Sequence, residues 1–283
     1  MSMNTLAAPA ALDVRPSRRF SKVRELIHFR QLIALLIVRE LKVRYKRSVF
    51  GLFWTMLNPL LLMIVYTIVF TTIMPVAQRN FTVFLLAALL PWLFFSTAVL
   101  QGLGSILANQ ELIRKVRVPQ AVFPLSVVGS NLVNFALSMV PLFFLMIALR
   151  QQFTPALLFV VPGMVLLTIF TSGVTLLLAT FTVFFRDVKH LAEVALQMLM
   201  YLSPVLYDLP MLGEHKDWWF RYFKWFLAAN PFTYLIALIR DPVYYGRMPT
   251  GPTLAIATIG SFVAFAVGYK VFQRLAPRHI HYL

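Results

Sequence analysis

The chain has 283 residues, 60% of them hydrophobic and 13% charged, with a mean hydropathy of +0.77. A soluble domain carries about 25% charged residues, so a water-soluble globular fold is excluded. The net charge of +16 would fit nucleic acid only as a solvated basic face on a soluble core. Here the basic residues stand between long apolar runs, so nucleic acid is excluded as a partner and the charge reads as membrane topology. The absence of cysteine removes disulfides, thiolate chemistry and Cys-ligated metals.

Residues 1–20 are rich in Ala, Pro and Arg and read as a disordered tail. The run "LIALLIV" at 32–38 is short for a signal core and lacks a small-residue cleavage site. Residues 21–48 instead suit an amphipathic helix lying along the cytoplasmic surface. A simple basic anchor fits the pattern equally well, since Arg39, Lys42, Arg44, Lys46 and Arg47 crowd against Ser48.

No Asp, Glu, Lys or Arg interrupts 48–78, 80–110, 118–149, 151–185 or 248–269. Each run exceeds the roughly 20 residues that a helix needs to cross hydrocarbon. They predict spans at about 50–74, 81–107, 120–149, 156–185 and 251–273, with a sixth at about 188–207 that holds one acid, Glu193. Unpaired backbone is not tolerated in lipid and the alternation of barrel strands is missing, so the spans are read as helices. Pro59, Pro91, Pro124, Pro141, Pro162 and Pro204 fall in or near them and are expected to kink or break them.

Six crossings put both termini on one side. With the N-terminus inside, 19 of the 26 Lys and Arg are cytoplasmic and 7 are outside, as the positive-inside rule requires. The fold class expected is an all-α integral membrane protein. It has six transmembrane helices, an N-terminal amphipathic interface helix and a re-entrant outer helical hairpin before the last span. The transmembrane domain covers 49–275, and 276–283 form a cytoplasmic tail.

The hairpin is expected within 208–248. The stretch "DWWFRYFKWFLAANPFTYLIALIRD" has an apolar core at 225–239 of only 15 residues, about 22 Å of helix, too short to span. A first helix resting in the outer interface would break at Asn230-Pro231 and turn back to Asp241-Pro242. The residues alone favour an aromatic anchor over a gate, Trp being a common interface anchor.

Several chemistries are missing. No ionisable group lies at mid-depth in the spans, as a proton- or ion-coupled transporter would need. There is no GxxxxGK[ST] loop, HExxH pair or GxSxG elbow. His279 and His281 read as part of a solvated tail rather than as metal ligands. Any transport must draw its energy from another chain. Neutral polar residues at depth, among them Asn58, Gln101, Asn131, Asn134, Ser138, Thr168, Ser172, Thr175, Gln197 and Ser203, read first as glue between helices. The short inner connections 109–120 and 184–191 are natural docking points for a motor, with Glu111 and Lys115 in the favourable i, i+4 order.

From about residue 22 to 275, the order "RELKVRYKRSVFGLFWTMLNPLL", "NQELIRKVRVPQAVFPLS", "FFRDVKHL", "YLSPVLYDLP" and "NPFTYLIALIRDPVYYG" resembles the ABC-2 type permeases that export polysaccharides. The likeness is greatest to the O-antigen and teichoic-acid permeases. The resemblance implies a homodimer of six-span subunits working with two copies of a separate ATPase subunit, which would hold the ATP and Mg; this chain would hold no cofactor and catalyse nothing. It implies that Glu111, Arg114, Lys115 and Arg117 dock the ATPase, helped by Arg186 and Asp187. Arg44, Lys46 and Arg47 would lie at the cytoplasmic entrance for a lipid-linked glycan, with Trp54 and Tyr66 along its channel. Trp218, Trp219, Phe220 and Phe223 would stand at an outer gate, which reverses the preference for an anchor. The other readings are a non-transporting scaffold for envelope glycan assembly and an ABC-2 exporter of drugs or lipids.

Overall fold

The computed structural model describes residues 29–48, 50–69, 80–115, 118–207, 218–279 and 282. They form helices α1 (Arg30–Arg44), α2 (Trp54–Ile68), α3 (Phe81–Leu103), α4 (Ser105–Ala108), α5 (Gln110–Lys115), α6 (Val122–Ala148), α7 (Val160–Phe184), α8 (Val188–Tyr201), α9 (Trp218–Ala229), α10 (Pro231–Arg240) and α11 (Gly251–His279). No strand occurs among the described residues, so the all-α class holds.

Four segments are long and apolar enough to cross a membrane: Phe81–Leu103, Val122–Ala148, Pro155–Phe184 and Gly251–His279. Helix α2 has 15 described residues, and the outer end expected for that span, to 74, lies outside the described residues. Helix α8 has 14 residues and gives way to turns at 202–207; at 1.5 Å per residue it reaches about 21 Å. Helix α11 runs to His279, six residues past the expected end of its span.

The prolines act less than expected. Pro59, Pro91 and Pro141 lie inside continuous helices, as neighbouring helices permit in membrane bundles. Pro124 and Pro162 fall in the first turns of α6 and α7, where the missing N–H costs no helical bond.

Helix α3 is the axis of the bundle: 78% of its apolar window is buried, against 17% for α11. It packs on α6, α7, α10, α2 and α8. At its middle an aromatic cluster joins three helices, with Phe232 of α10 lying 4.8 Å from Phe95, 5.3 Å from Trp92 and 6.3 Å from Phe170, ring centre to ring centre. Such pairs add about 0.5–1.5 kcal/mol each beyond their buried area. Five hydroxyls on α7 are satisfied within the helix, Thr168, Thr171, Ser172, Thr180 and Thr182 each donating to the carbonyl four residues back. The buried Thr175 hydroxyl has no partner among the described residues.

Candidate functional site

Helix α1 is apolar on all sides from Leu32 to Val38 and mostly charged from Arg39 to Arg44, and of its residues only Leu36 is buried. Its inner face, Phe29, Leu32, Ile33 and Leu36, joins Leu112, Ile113, Val118, Val122 and Phe123 in one apolar cluster. Ile37 lies where a β-carbon on Gly129 would stand, so that glycine lets α1 lie close across α6. Arg39 donates to Asn109 Oδ1 at 3.4 Å. The surface helix and the connection after α3 therefore form one platform.

Glu111, Arg114 and Lys115 are exposed on this platform; Arg117 lies outside the described residues. Glu111 and Lys115 make no ion pair among the described residues, despite their spacing. Arg186 and Asp187 are exposed in the turn joining α7 to α8. They reach the same end of the bundle through a side-chain relay: His279 meets Gln120 Oε1 at 2.7 Å, and its ring lies 5.3 Å from Phe184. His279 is fully buried. The expectation of a solvated tail fails there because α11 continues long enough to tuck its last turn against α6 and α7.

Beside the platform the basic cluster divides. Arg44 turns inward and is half-buried, its Nη2 donating to Gln101 Oε1 at 2.6 Å and its Nη1 to Asn131 Oδ1 at 3.2 Å. Asn131 Nδ2 closes the triangle by donating to the same Gln101 oxygen at 3.0 Å. Tyr45 Oη donates to Asn134 Oδ1 at 3.3 Å, and Ser138 Oγ donates to the Thr55 carbonyl at 3.2 Å. Asn131, Asn134 and Ser138 follow at i, i+3, i+7, one stripe of α6. Together with Arg44, Trp54 and Asn58 they line a cavity of about 230 Å³ between α2, α3 and α6. Lys46 and Arg47 remain exposed, Arg47 with a left-handed φ of 65°.

Trp54 stands at this groove, 45% exposed and edge-on to Phe50 at 5.6 Å. Tyr66 does not join it. Twelve residues on, it lies a third of a turn around the helix and packs against the main core.

The segment before α11 breaks where expected. Asn230 ends α9, accepts from Phe232 N at 3.0 Å to cap α10, and donates to Ser203 Oγ at 3.0 Å. Pro231 opens α10, whose Phe232, Leu235, Ile236 and Ile239 are buried in the bundle. The turn back does not stop at Asp241-Pro242 but continues as a wide turn to Tyr245. In α9 Phe220 is buried and Phe223 half-buried, with the Lys224 ammonium 5.1 Å from the Phe220 ring. The exposed aromatic stripe is Tyr222, Trp225 and Phe226. The side chains of Trp218 and Trp219 lie outside the described set. Arg240, 3% exposed, donates to the carbonyls of Pro204 and Tyr207 at 2.8 and 3.0 Å and lies 4.8 Å from the Phe84 ring. It fastens the turns after α8 to α10 and α3, and the hydropathy pattern gave no sign of it.

Residues 31–244 match the family model described as "ABC-2 type transporter". The chain is 38% identical over 253 residues to an O-antigen export system permease protein, RfbA, of Myxococcus xanthus, covering 89% of this chain and 95% of the relative. It is 31% identical to a Klebsiella pneumoniae protein of the same name, over 87% of this chain and 93% of the relative. A polysialic acid transport protein, KpsM, of Escherichia coli is 24% identical over 85% of this chain and 92% of that protein.

Proposed function

On the premise that the chain belongs to the ABC-2 type transporter family, we propose that it is the membrane subunit of an exporter that moves a lipid-linked polysaccharide, O-antigen-like or teichoic-acid-like, across the cytoplasmic membrane. A homodimer would work with two copies of a separate ATPase subunit, which supplies ATP hydrolysis and holds its Mg. Both termini would face the cytoplasm, since the platform end carries most of the positive charge.

In this reading Glu111, Arg114, Lys115 and Arg117 on one connection, and Arg186 and Asp187 on the other, receive the ATPase. What supports it is that α1, α5, the start of α6 and the ends of α7 and α11 are packed into one surface, so that a push on either loop reaches the walls of the polar groove.

The observation that carries the substrate side is Arg44. Its guanidinium sits on two neutral amide oxygens rather than on a carboxylate, so its charge is not neutralised by its partners. A diphosphate at the head of a polyprenyl-linked glycan would replace those bonds with charge-assisted ones, roughly twice as strong. Lys46 and Arg47, exposed nearby, would gather the anion from the membrane surface, and Trp54 would offer a ring face to the sugars beyond it. Tyr66 would serve the channel only after α2 rotates. At the outer end, Trp218, Trp219, Phe220 and Phe223 belong to the gate segment, with Phe220 as its packed root.

The test is deletion of the chain's gene with complementation. Lipid-linked polymer should accumulate inside the cells and return to the surface with the wild-type chain. A deletion strain with normal surface polymer and no internal pool would overturn the reading. An outside-active reporter fused after Leu283 should be silent; activity there would overturn the topology.

A further inference from the structure

The end of the bundle remote from the platform holds a second polar pocket, of about 360 Å³, lined by Arg150, Gln151, Gln152, Tyr244, Tyr245 and Gly246. That size falls in the ordinary range for small-ligand sites, about 300–1,000 Å³. Neither the docking surface nor the Arg44 groove uses it.

Its frame is rigid. Gln151 spends its whole amide on bracing: Oε1 accepts from Asn80 Nδ2 at 2.8 Å, and Nε2 donates to the Tyr244 carbonyl. Thr154 Oγ1 donates to the Gly246 carbonyl at 2.8 Å. The Tyr245 ring is held between the Tyr244 ring at 4.8 Å and the Arg247 guanidinium at 4.5 Å, and Arg247 is itself paired with Asp241 at 3.0 Å. Tyr245 nonetheless stays 38% exposed.

Arg150 is out of place by backbone criteria. Its N–H donates to the Ile147 carbonyl and that of Gln151 to the Met146 carbonyl, the bonding of a helix terminator whose left-handed position prefers glycine. Here arginine holds it at φ 52°. Among the described residues neither Arg150 nor Gln152 makes a side-chain hydrogen bond, and both are exposed. The strain therefore serves no packing contact that the structure shows; it places a guanidinium at the lip of the pocket.

We propose that this pocket is a saccharide-binding subsite on the outer face, which takes sugar units of the emerging polymer; it rests on the exporter reading above. The exposed part of the fixed Tyr245 ring offers apolar surface to a pyranose, and Gln152 and Arg150 offer planar donors to hydroxyls. An anionic lipid headgroup is the poorer occupant. Of the two cations nearby among the described residues, Arg247 is already neutralised by Asp241, which leaves Arg150 alone of the two to hold a phosphate.

The experiment uses the full chain in nanodiscs of neutral lipid. The probe is oligosaccharide cut by mild hydrolysis from the polymer that accumulates in cells lacking the chain. Saturation transfer from protein to sugar should be seen with the wild type. Arg150→Gly, which suits the backbone, and Tyr245→Ala should each raise the dissociation constant about fivefold or more, while Tyr245→Phe keeps the ring and the binding. Equal binding by all variants, or none by the wild type, overturns the subsite and leaves the exporter standing. Wild-type binding abolished when phosphatidylglycerol replaces the neutral lipid overturns it in favour of a headgroup. Failure of any polymer to accumulate in the deletion strain overturns both readings.

Discussion

Helices α7 and α11 approach until a β-carbon on Gly268 would fall on the Gly173 carbonyl, and one on Gly173 on the Ala264–Phe265 backbone. Helices α2 and α6 stand apart around a cavity of about 230 Å³ edged by Asn58, Asn134 and Ser138. The first seam is made of small residues, which let backbones meet and gain dispersion contact where no hydrophobic force acts between helices in lipid. The second is lined by amides and a guanidinium that bond to one another at its rim, with Ser138 Oγ donating to the Thr55 carbonyl across it. One bundle thus contains a closed seam fit to transmit force without yielding and an open seam fit to admit a polar ligand.

The largest effect should come from prising the closed seam apart. Gly268→Leu places a side chain where the Gly173 carbonyl stands, and core overpacking costs about 1–3 kcal/mol or more. Little monodisperse protein should survive detergent extraction and size exclusion. Gly104→Ala is the control, since a β-carbon there meets nothing within 4 Å. If the two variants yield equally, the seam is not rigid.

Next is the proposed docking surface. Reversing all four charges at Glu111, Arg114, Lys115 and Arg117 should abolish export while the chain stays in the membrane at its normal level. ATP hydrolysis by the complex should then continue without transport. Single alanines should be mild, because an exposed ion pair contributes about 0.2–1 kcal/mol. Surface polymer and ATPase rate, measured on the same cells and complex, separate docking from folding.

The open seam should respond in the opposite way to the closed one. Asn134→Leu removes the acceptor for Tyr45 Oη and turns a polar wall apolar, with about 1 kcal/mol of hydrogen bonding lost. Protein yield should hold and export should fall several-fold. A parallel fall in both would mean that the stripe is glue alone.

How far this contrast could be read in the sequence depends on which part is asked about. The closed seam's two helices follow from uncharged runs longer than a bilayer, and the break at Asn230-Pro231 follows from a capping side chain beside a proline that suits a first helical turn. The open seam is half visible: Gln101, Asn131, Asn134 and Ser138 stand out in apolar helices and read first as helix contacts. Arg44, the partner of Gln101 and Asn131, lies 57 and 87 residues away in the chain, a pairing that no local period encodes. Helix α9 hid its facing for another reason. Aromatic residues cover most of it and Arg221 and Lys224 take the remaining side. Phe220 and Trp225 both flank that charged strip, so hydropathy could not tell buried Phe220 from exposed Trp225. His279 reads as solvated from its place in the sequence, and only the length of the helix carrying it brings it to Gln120.

The smallest effect, and the sharpest test of the open seam, lies in the arginine forks. Arg44 and Arg47 belong to one basic run, but the structure gives them different work. Arg44 spans two amides on two helices, whereas Arg47 is exposed in a left-handed turn. Lysine keeps the charge and loses the planar fork that binds phosphate oxygens in pairs. If the run only holds anionic lipid, at about 1 kcal/mol per basic residue, both Arg44→Lys and Arg47→Lys should export at the wild-type rate. If Arg44 is only a brace, Arg44→Lys should lower thermal stability, and Gln101→Leu should lower it no further in the double variant. If Arg44 takes the diphosphate, Arg44→Lys should slow export two- to fivefold, the scale of about 0.5–1 kcal/mol, with insertion and stability near normal and Arg47→Lys milder still. Export rates and melting curves of the three variants and the double variant decide among them.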